Sequence, residues 1–249
     1  MWKTDDRALR VQVGAKSVAG PGRTVNQDVT IVGPGIFGLA DGMGGPGGGD
    51  VAAAIAVAEV VDAITARKDG VEAATAAHDA VLARQSTATE SHLRGMGTTV
   101  CFGVVGWQED EAAVQITNVG DSRAYLLHAR TWSQVTRDQS HVQELVDEGA
   151  LTPEQAWQHP QRNIVTSAVG YARGFRAEAS SIVAAAGMRL MFCSDGVSDV
   201  LADDALQKLV RGRVHPQAIA DRVLDAVARA HGYDDATAVV VDILAVSRT

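Results

Sequence analysis

Three short runs of β-forming residues constrain the fold of this chain more than any other feature. They read GTTVCFGVVGW, EAAVQITNVGD and SRAYLLHA, and they lie within residues 97–129. Valine, threonine and aromatic residues favour strands, and the polar stretches between the runs favour tight turns. Strands joined by tight turns cannot be parallel neighbours, because a parallel pair needs a long crossover. We therefore predict an antiparallel meander, with Gly120 and Asp121 in one of its turns.

Helices and further strands are predicted on both sides of this meander. Apolar residues spaced three and four apart predict a helix from Asp50 onward, and an Ala-rich stretch predicts a second helix over residues 71–89. The other predictions are strands over residues 29–32, 36–40, 189–193 and 237–244, and helices over residues 141–148, from Thr152 and after Pro216. This order predicts an α+β fold and not a βαβ repeat.

The length of 249 residues fits one domain spanning residues 1–249, since no repeat or long linker divides the sequence. The longest apolar runs are too short to span a membrane, and the amino terminus MWKTDDRALR lacks the apolar core of a signal peptide. We therefore expect a cytoplasmic protein without a membrane partner, and nothing in the sequence demands more than a monomer.

Charge and cysteine content exclude two classes of protein. The net charge of -8 argues against a nucleic-acid partner, because phosphate backbones are bound by clustered Lys and Arg. The two cysteines, Cys101 and Cys193, lie in apolar, strand-like contexts. They are predicted to be buried free thiols and not a disulfide framework.

The glycine-rich stretch LADGMGGPGGGD admits two interpretations. Gly42, Gly44 and Gly47 spell G-x-G-x-x-G between a strand and a helix, and Asp62 follows about twenty residues later, as in dinucleotide-binding sites. Asp41 argues against this interpretation, because its charge would face the pyrophosphate at the helix N-terminus. The alternative is a metal site.

Four aspartates are placed alike, each at the end of a predicted strand. Asp41 follows IFGLA and Asp195 follows RLMFCS, each with glycine next, while Asp234 precedes the strand ATAVVVDIL and Asp28 precedes the first strand. Carboxylate oxygens suit Mg²⁺ or Mn²⁺, and no His or Cys cluster has the spacing of zinc ligands. The sequence favours a metal site, provided that these strands are neighbours.

Seven motifs follow one another along nearly the whole chain: RTVNQD, LADGMGG, GTTV, NVGDSRAYLL, VTRDQSHVQELVDEGALT, CSDGVSD and DDATAVVVD. Together they resemble the metal-dependent protein phosphatase 2C (PPM) family, in its bacterial Ser/Thr phosphatase form. The resemblance implies an α-β-β-α sandwich, in which two antiparallel sheets are flanked by helices. It also implies a dinuclear metal centre at one end of the sandwich.

The resemblance assigns roles to the four aspartates and to one glycine. Asp41 resembles the carboxylate that bridges both metals, and Gly42 resembles the residue whose carbonyl oxygen binds one of them. Asp195 and Asp234 resemble the remaining ligands of the other metal, and Asp28 resembles a nearby carboxylate that acts directly or through water. These roles imply two Mn²⁺ or Mg²⁺ ions.

Other parts of the chain resemble the substrate-binding parts of the family. Arg23 resembles the guanidinium that grips the substrate phosphate. Asp138 occupies the position that, with Asp195, holds a third and weaker metal in bacterial members. Residues 149–170 resemble the family's mobile flap beside the active site, or else form a solvated loop, and they include Trp157, His159 and Arg162.

The chain departs from the family pattern at several positions. Met43 stands where many eukaryotic relatives carry a histidine, and Gln27 replaces the commoner glutamate. Asp235 replaces the usual asparagine, so that either Asp234 or Asp235 is the ligand, with the spacing to the next strand favouring Asp234. Gln139 takes a position where histidine is common. Asp121 is interpreted as a turn residue and not as a ligand.

The resemblance implies a serine/threonine phosphoprotein phosphatase that uses a metal-bridging hydroxide and opposes a bacterial Ser/Thr kinase. Its partners would be phosphorylated proteins and that kinase. A catalytically idle module that binds phosphoproteins is the main alternative, and a dinucleotide enzyme is a distant third. The sequence identifies neither the physiological substrate nor the preferred metal.

Overall fold

The computed structural model describes residues 8–44 and 48–247, and it contains two antiparallel sheets between two layers of helices. The strands are β1 (Ala8–Val18), β2 (Asp28–Gly33), β3 (Ile36–Met43), β4 (Gly97–Thr98), β5 (Val100–Gln108), β6 (Glu111–Val119), β7 (Arg123–His128), β8 (Thr131–Gln134), β9 (Glu178–Val183), β10 (Arg189–Cys193) and β11 (Ala236–Ser247). The helices are α1 (Gly49–Thr65), α2 (Gly70–Thr87), α3 (His141–Asp147), α4 (Pro153–Trp157), α5 (Asp195–Ser198), α6 (Asp203–Val210) and α7 (Pro216–Arg229), with a 3₁₀ turn at Ser91–Leu93.

Each sheet contains strands that are distant in sequence. The first sheet has the order β1-β11-β10-β7-β8, and the second has the order β2-β3-β5-β6-β9, with β4 paired to β3. Every strand pairing within residues 8–44 and 48–247 is antiparallel. This topology lacks the βαβ unit that a dinucleotide site requires, so the metal interpretation is the one that fits.

Alternation along the strands produces three layers of core. On β3, Ile36 packs toward α1 and α2, whereas the next residue, Phe37, packs between the two sheets, where it contacts Phe192 of β10 at a ring-centroid distance of 5.6 Å. A third cluster lies between the first sheet and α5, α6 and α7. Because side chains alternate along a strand, each sheet buries both faces, and the predicted α-β-β-α sandwich is confirmed.

Most of the predicted elements are present, but the prediction of a three-stranded meander is wrong in one respect. β5 and β6 form the predicted hairpin, whereas β6 and β7 lie in different sheets. The turn at Gly120 and Asp121 therefore carries the chain from one sheet to the other, with Gly120 at a φ of 108° that favours glycine.

Two further expectations concern burial and the membrane. Cys101 and Cys193 are buried free thiols, as predicted, and burial raises the pKa of both. None of the helices in the described ranges combines the length and the apolar character needed to cross a bilayer. Gly47 of the glycine loop and most of the amino-terminal MWKTDDRALR lie outside the described residues.

Candidate metal centre

Two of the predicted aspartates lie directly opposite each other on neighbouring strands. Asp28 opens β2, Asp41 lies near the end of β3, and the antiparallel register pairs them. Opposed residues project their side chains from the same face, with Cβ atoms about 4.5–5.5 Å apart. Asp28 is only 6% exposed and Asp41 is half-buried. Like charges in this arrangement destabilise a sheet, so the pair needs a compensating positive charge.

The other sheet contributes two more aspartates to the same place. Asp195 begins α5 just after β10, and Asp234 lies just before β11. β10 and β11 are antiparallel neighbours, so the end of one strand and the start of the other lie at one edge of the sheet. A cleft of about 570 Å³ at this end of the molecule is lined by residues that include Arg23, Asp41, Gly42, Asp121, Asp195 and Asp234. The convergence of strand ends that the metal interpretation required is present.

Burial and mutual repulsion make three of these carboxylates, those of Asp28, Asp41 and Asp195, unusually basic. Burial raises the pKa of Asp28 to about 6. Burial, with repulsion from Asp199 and Asp234, raises the pKa of Asp195 to about 7. Burial, with repulsion from Asp28 and Asp195, raises the pKa of Asp41 well above its ordinary value. Perturbed carboxylates gathered in a cleft are typical of functional sites.

One carboxylate oxygen in this cluster of aspartates is buried without a hydrogen-bond partner among the described residues, so the cluster suits a cation. Asp28 Oδ2 accepts a hydrogen bond from Ser194 Oγ at 2.8 Å, whereas Asp28 Oδ1 is buried without a hydrogen-bond partner among the described residues. Burying such an oxygen costs free energy, which a bound cation or its water would recover. Within residues 8–44 and 48–247, no three His, Cys, Asp or Glu side chains form a ready-made ligand shell. The fit therefore rests on the all-oxygen donors, their burial and this free oxygen.

Two threonines of the GTTV motif fix the backbone of Asp41. Thr98 Oγ1 and Thr99 N each donate a hydrogen bond to Asp41 O at 2.8 Å. Asp41 N donates in turn to Thr99 Oγ1 at 3.1 Å. Both threonines are fully buried, so the carboxylate of Asp41 projects into the cleft from a rigid base.

Gly42 occupies a position where only glycine fits. A Cβ atom at Gly42 would collide with the backbone of Gly49, and it would lie 2.7 Å from the carbonyl oxygen of Gln27. The missing side chain lets the end of β3 pass between α1 and the segment before β2. Gly42 also lines the cleft, beside Asp41.

Arg23 and the two consecutive aspartates form a network at the mouth of the cleft. Arg23 forms ion pairs with Asp234 and, at 3.1 Å, with Asp235. Asp235 is 2% exposed, and its carboxylate also accepts hydrogen bonds from Gly20 N and Gln27 N, both at 2.8 Å. Asp235 therefore holds the loop that carries Arg23, whereas Asp234 is half-buried and lines the cleft. This division of roles favours Asp234 as the ligand.

Asp138 differs from Asp234, which also pairs with an arginine, because both carboxylate oxygens of Asp138 accept hydrogen bonds and its side chain is not among those that line the cleft. Arg123 Nε donates to both of its carboxylate oxygens, at 3.1 and 2.9 Å, and Gln134 Nε2 donates to Oδ1 at 2.7 Å. Asp121 lies in the predicted turn and also lines the cleft, at 7% exposure. Burial and repulsion from Asp195 and Asp138 raise the pKa of Asp121 well above its ordinary value. The sequence feature that could have identified Asp121 as a cleft residue is its position after a predicted strand and next to a glycine. Asp41 has the same kind of position.

The flap-like segment contacts the helix that begins at Asp195. Trp157 Nε1 donates to Ser198 O at 3.0 Å, and Arg162 forms an ion pair with Asp199 at 3.1 Å. Arg162 also donates to Tyr233 Oη at 2.9 Å. His159 takes part only in a local turn, where its Nδ1 accepts from the next-but-one backbone N–H. Two of the three residues singled out from sequence therefore tie this segment to the site.

The residues that depart from the family pattern divide into two groups. Met43 and Gln27 line the cleft, and Gln27 Oε1 accepts a hydrogen bond from Arg23 at 3.2 Å. Gln139 is fully buried and joins two loops, because it accepts from Gly120 N at 2.8 Å and donates to Arg176 O at 3.0 Å. The role of Gln139 is therefore structural.

Comparison with known proteins gives one consistent result. A family model described as protein phosphatase 2C matches residues 24–241. The serine/threonine protein phosphatase PstP of Mycobacterium tuberculosis is 33% identical over 243 residues, which is 95% of this chain and 46% of that protein. The chain thus spans about half the length of that relative. The serine/threonine phosphatase stp of Listeria monocytogenes is 31% identical over 228 residues, which is 87% of this chain and 85% of the relative. A crystal structure of the PstP catalytic domain in complex with two manganese ions superposes with a TM-score of 0.82, at 29% identity, over 96% of this chain and all of that one.

Proposed function

The chain belongs to the protein phosphatase 2C family, and from this membership and its aspartate cleft we propose that it hydrolyses phosphoserine and phosphothreonine in proteins with the help of Mn²⁺ or Mg²⁺. The observation that carries the proposal is the meeting of Asp41, Asp195 and Asp234 with Arg23 in one cleft. Buried carboxylates repel a phosphate unless cations lie between them, whereas an arginine attracts it. Both kinds of group belong together in a metal-assisted phosphatase.

We assign the metal-holding role to Asp28, Asp41, Gly42, Asp195 and Asp234. Two divalent cations supply a nucleophile from water at neutral pH and neutralise charge on the phosphate when they are bound. The carboxylates contribute the negative charge that retains these cations, and Thr98 and Thr99 hold Asp41 in place. For a third and weaker ion we propose Asp121 beside Asp195, in place of Asp138 with its arginine partner.

Arg23 binds the substrate phosphate in this proposal. Its planar guanidinium donates two hydrogen bonds in a fixed geometry. The contact with Asp235 holds the loop and orients the guanidinium, and the contact with Asp234 places it at the edge of the cleft. Met43 has no titratable proton, so the serine or threonine leaving group receives its proton from water.

The idle binding module is the weaker alternative. A module that only binds phosphate gains nothing from Asp28, Asp41 and Asp195, whose burial is costly and whose charge repels the ligand. The relatives are named as phosphatases and come from bacteria, which supports phosphoproteins as substrates and a bacterial Ser/Thr kinase as the opposing enzyme. We further propose that the protein acts as a monomer in the cytoplasm.

We expect purified protein to release phosphate from p-nitrophenyl phosphate and from a phosphothreonine peptide with Mn²⁺ or Mg²⁺, and to release none in EDTA. The reason is that the carboxylates need cations before a phosphate dianion can enter the cleft. Colorimetric phosphate release measures both reactions. Metal-independent hydrolysis would contradict the mechanism. If the folded, metal-loaded protein releases no phosphate from either substrate, the phosphoprotein-binding module becomes the favoured function.

Replacing Arg23 with alanine is expected to lower kcat/KM by about 10- to 100-fold, mainly through KM, because a charge-assisted contact to phosphate is lost. Lysine at this position should restore only part of the loss, since it lacks the planar fork. Initial rates on p-nitrophenyl phosphate with saturating Mn²⁺ measure the effect. Asp79→Asn, at an exposed position on α2, serves as the control. If Arg23→Ala has the same kcat/KM as wild type, Arg23 does not bind the substrate phosphate.

A further inference from the structure

A second cleft opens directly beside the metal centre. It has a volume of about 680 Å³, within the range of about 300–1,000 Å³ that is common for ligand sites. Asp121 and Asp195 line both this cleft and the first one, so the two clefts lie side by side and meet at these residues. One side is formed by α3 and α4, and the other side is formed by α5 and the start of α6. We name it the acidic groove, after its residues Asp138, Glu154, Asp199, Asp203 and Asp204.

The acidic groove carries a surplus of negative charge. Apart from the two shared aspartates, its lining has five carboxylates and two arginines. Arg123 is bound to Asp138, with Nη2 to Oδ2 at 2.6 Å, and Arg162 is bound to Asp199. Each arginine is thus neutralised by its own partner within the groove. The surplus comes from Glu154, Asp203 and Asp204, which are all exposed. Asp203 also forms a longer ion pair with Arg123 at 3.8 Å, and Asp204 pairs at 2.9 Å with Lys208, which lies outside the lining and reduces the surplus from three to two.

The wall on the α3 and α4 side carries an apolar strip among polar residues. The strip consists of Val142 and Val146 of α3 and of Pro153, Ala156 and Trp157 of α4, and Gln143, Glu154 and Gln158 lie on the same side. Trp157 is 39% exposed although its indole N–H is bonded to Ser198 O, so its position is fixed while part of its ring stays open to a ligand. An apolar strip facing an acidic rim suits a ligand with an aliphatic stem and a cationic head. Lysine and arginine side chains have this form.

We propose that the acidic groove binds a lysine or arginine side chain that flanks the phosphorylated residue of the substrate. This inference rests on the proposed phosphatase function and specifies its substrate class. Because the groove joins the metal cleft at Asp121 and Asp195, a peptide whose phosphate lies near Arg23 continues into it. An acidic flanking residue would meet Glu154, Asp203 and Asp204 and would be repelled, so the groove selects for basic substrates and against acidic ones.

The test compares matched phosphothreonine peptides that differ only in having Arg, Ala or Glu at single positions from -3 to +3. We expect one or more positions at which Arg raises kcat/KM about tenfold over Glu. The double variant Glu154→Gln/Asp204→Asn should reduce this preference to about threefold or less. It should leave hydrolysis of p-nitrophenyl phosphate unchanged, because that substrate does not reach the groove. Both residues are exposed, and the ion pair of Asp204 with Lys208 is a surface contact worth little, so the variant is expected to fold.

The matched control is Glu111→Gln, which removes an exposed carboxylate from the β5–β6 hairpin and lines neither cleft. It should retain the full preference for Arg. Equal kcat/KM for Arg and Glu peptides in the wild type, or an unchanged preference in the double variant, would overturn the inference while leaving the phosphatase proposal intact. Failure to hydrolyse even p-nitrophenyl phosphate would overturn both.

Discussion

Asp195→Asn is expected to lower kcat/KM by at least about 10³-fold and, at the same time, to make the metal-free protein more stable. The activity is lost because an amide cannot supply the charge that retains the cations. The stability rises because burial and repulsion raise the pKa of Asp195 to about 7, and asparagine carries no charge to bury. We expect a gain of about 1–3 kcal/mol at pH 8, reduced from the full value by partial exposure. Phosphate release and urea unfolding in EDTA measure the two effects.

The opposite signs of these two effects separate a functional role from a structural one. A residue that merely supports the fold would lose activity and stability together when it is replaced. Asp79→Asn, on the exposed side of α2, should change neither quantity by much. An Asp195→Asn protein that is less stable than wild type in EDTA would show that Asp195 supports the fold and does not strain it.

The fold was largely predictable because it depends on patterns that repeat locally. β10 has the predicted bounds, and the predicted start of α1 and the predicted bounds of α2 and α3 differ from the observed ones by one or two residues. The crossing between β6 and β7 was not predictable in this way. The sequence of a glycine-containing turn does not show whether the strand after it pairs with the strand before it or joins the other sheet. The sheet that β7 joins depends on its pairing with β10, which is distant in sequence, and with β8, which follows it.

The candidate site shows the same division. Strand-end placement singled out Asp28, Asp41, Asp195 and Asp234 as candidates, but their proximity depends on the register of β2 with β3 and on the stacking of two sheets. The different surroundings of Asp138 and Asp121 have a similar cause. Residue type cannot distinguish a carboxylate that is paired with an arginine from one that faces a cleft. The distinction depends on Arg123, which lies fifteen positions before Asp138 and next to it in space.

The metal-free protein is expected to become less stable as the pH rises from 5 to 8, and saturating Mn²⁺ should reverse this trend. An aspartate in an unfolded chain has a pKa near 3.9, whereas burial raises the pKa of Asp28 to about 6 and that of Asp195 to about 7. The folded state therefore binds more protons than the unfolded state in this window. The stabilisation from these protons is complete below about pH 4 and is lost as the pH rises through about 6 to 7.

Cations bind the deprotonated carboxylates of the folded state, so Mn²⁺ competes with protons and stabilises most at high pH. We expect a loss of about 2–4 kcal/mol between pH 5 and pH 8 in EDTA, as the difference between wild type and an Asp28→Asn/Asp195→Asn variant. This difference cancels the titration of shared groups that are distant from Asp28 and Asp195, whereas Asp41 and Asp121, which these carboxylates repel, contribute to it. Urea unfolding at four pH values, with EDTA and with Mn²⁺, measures it. Parallel pH profiles for wild type and variant in EDTA would show that these two carboxylates are not strained in the folded state, and would remove the electrostatic basis for a cation at this cleft.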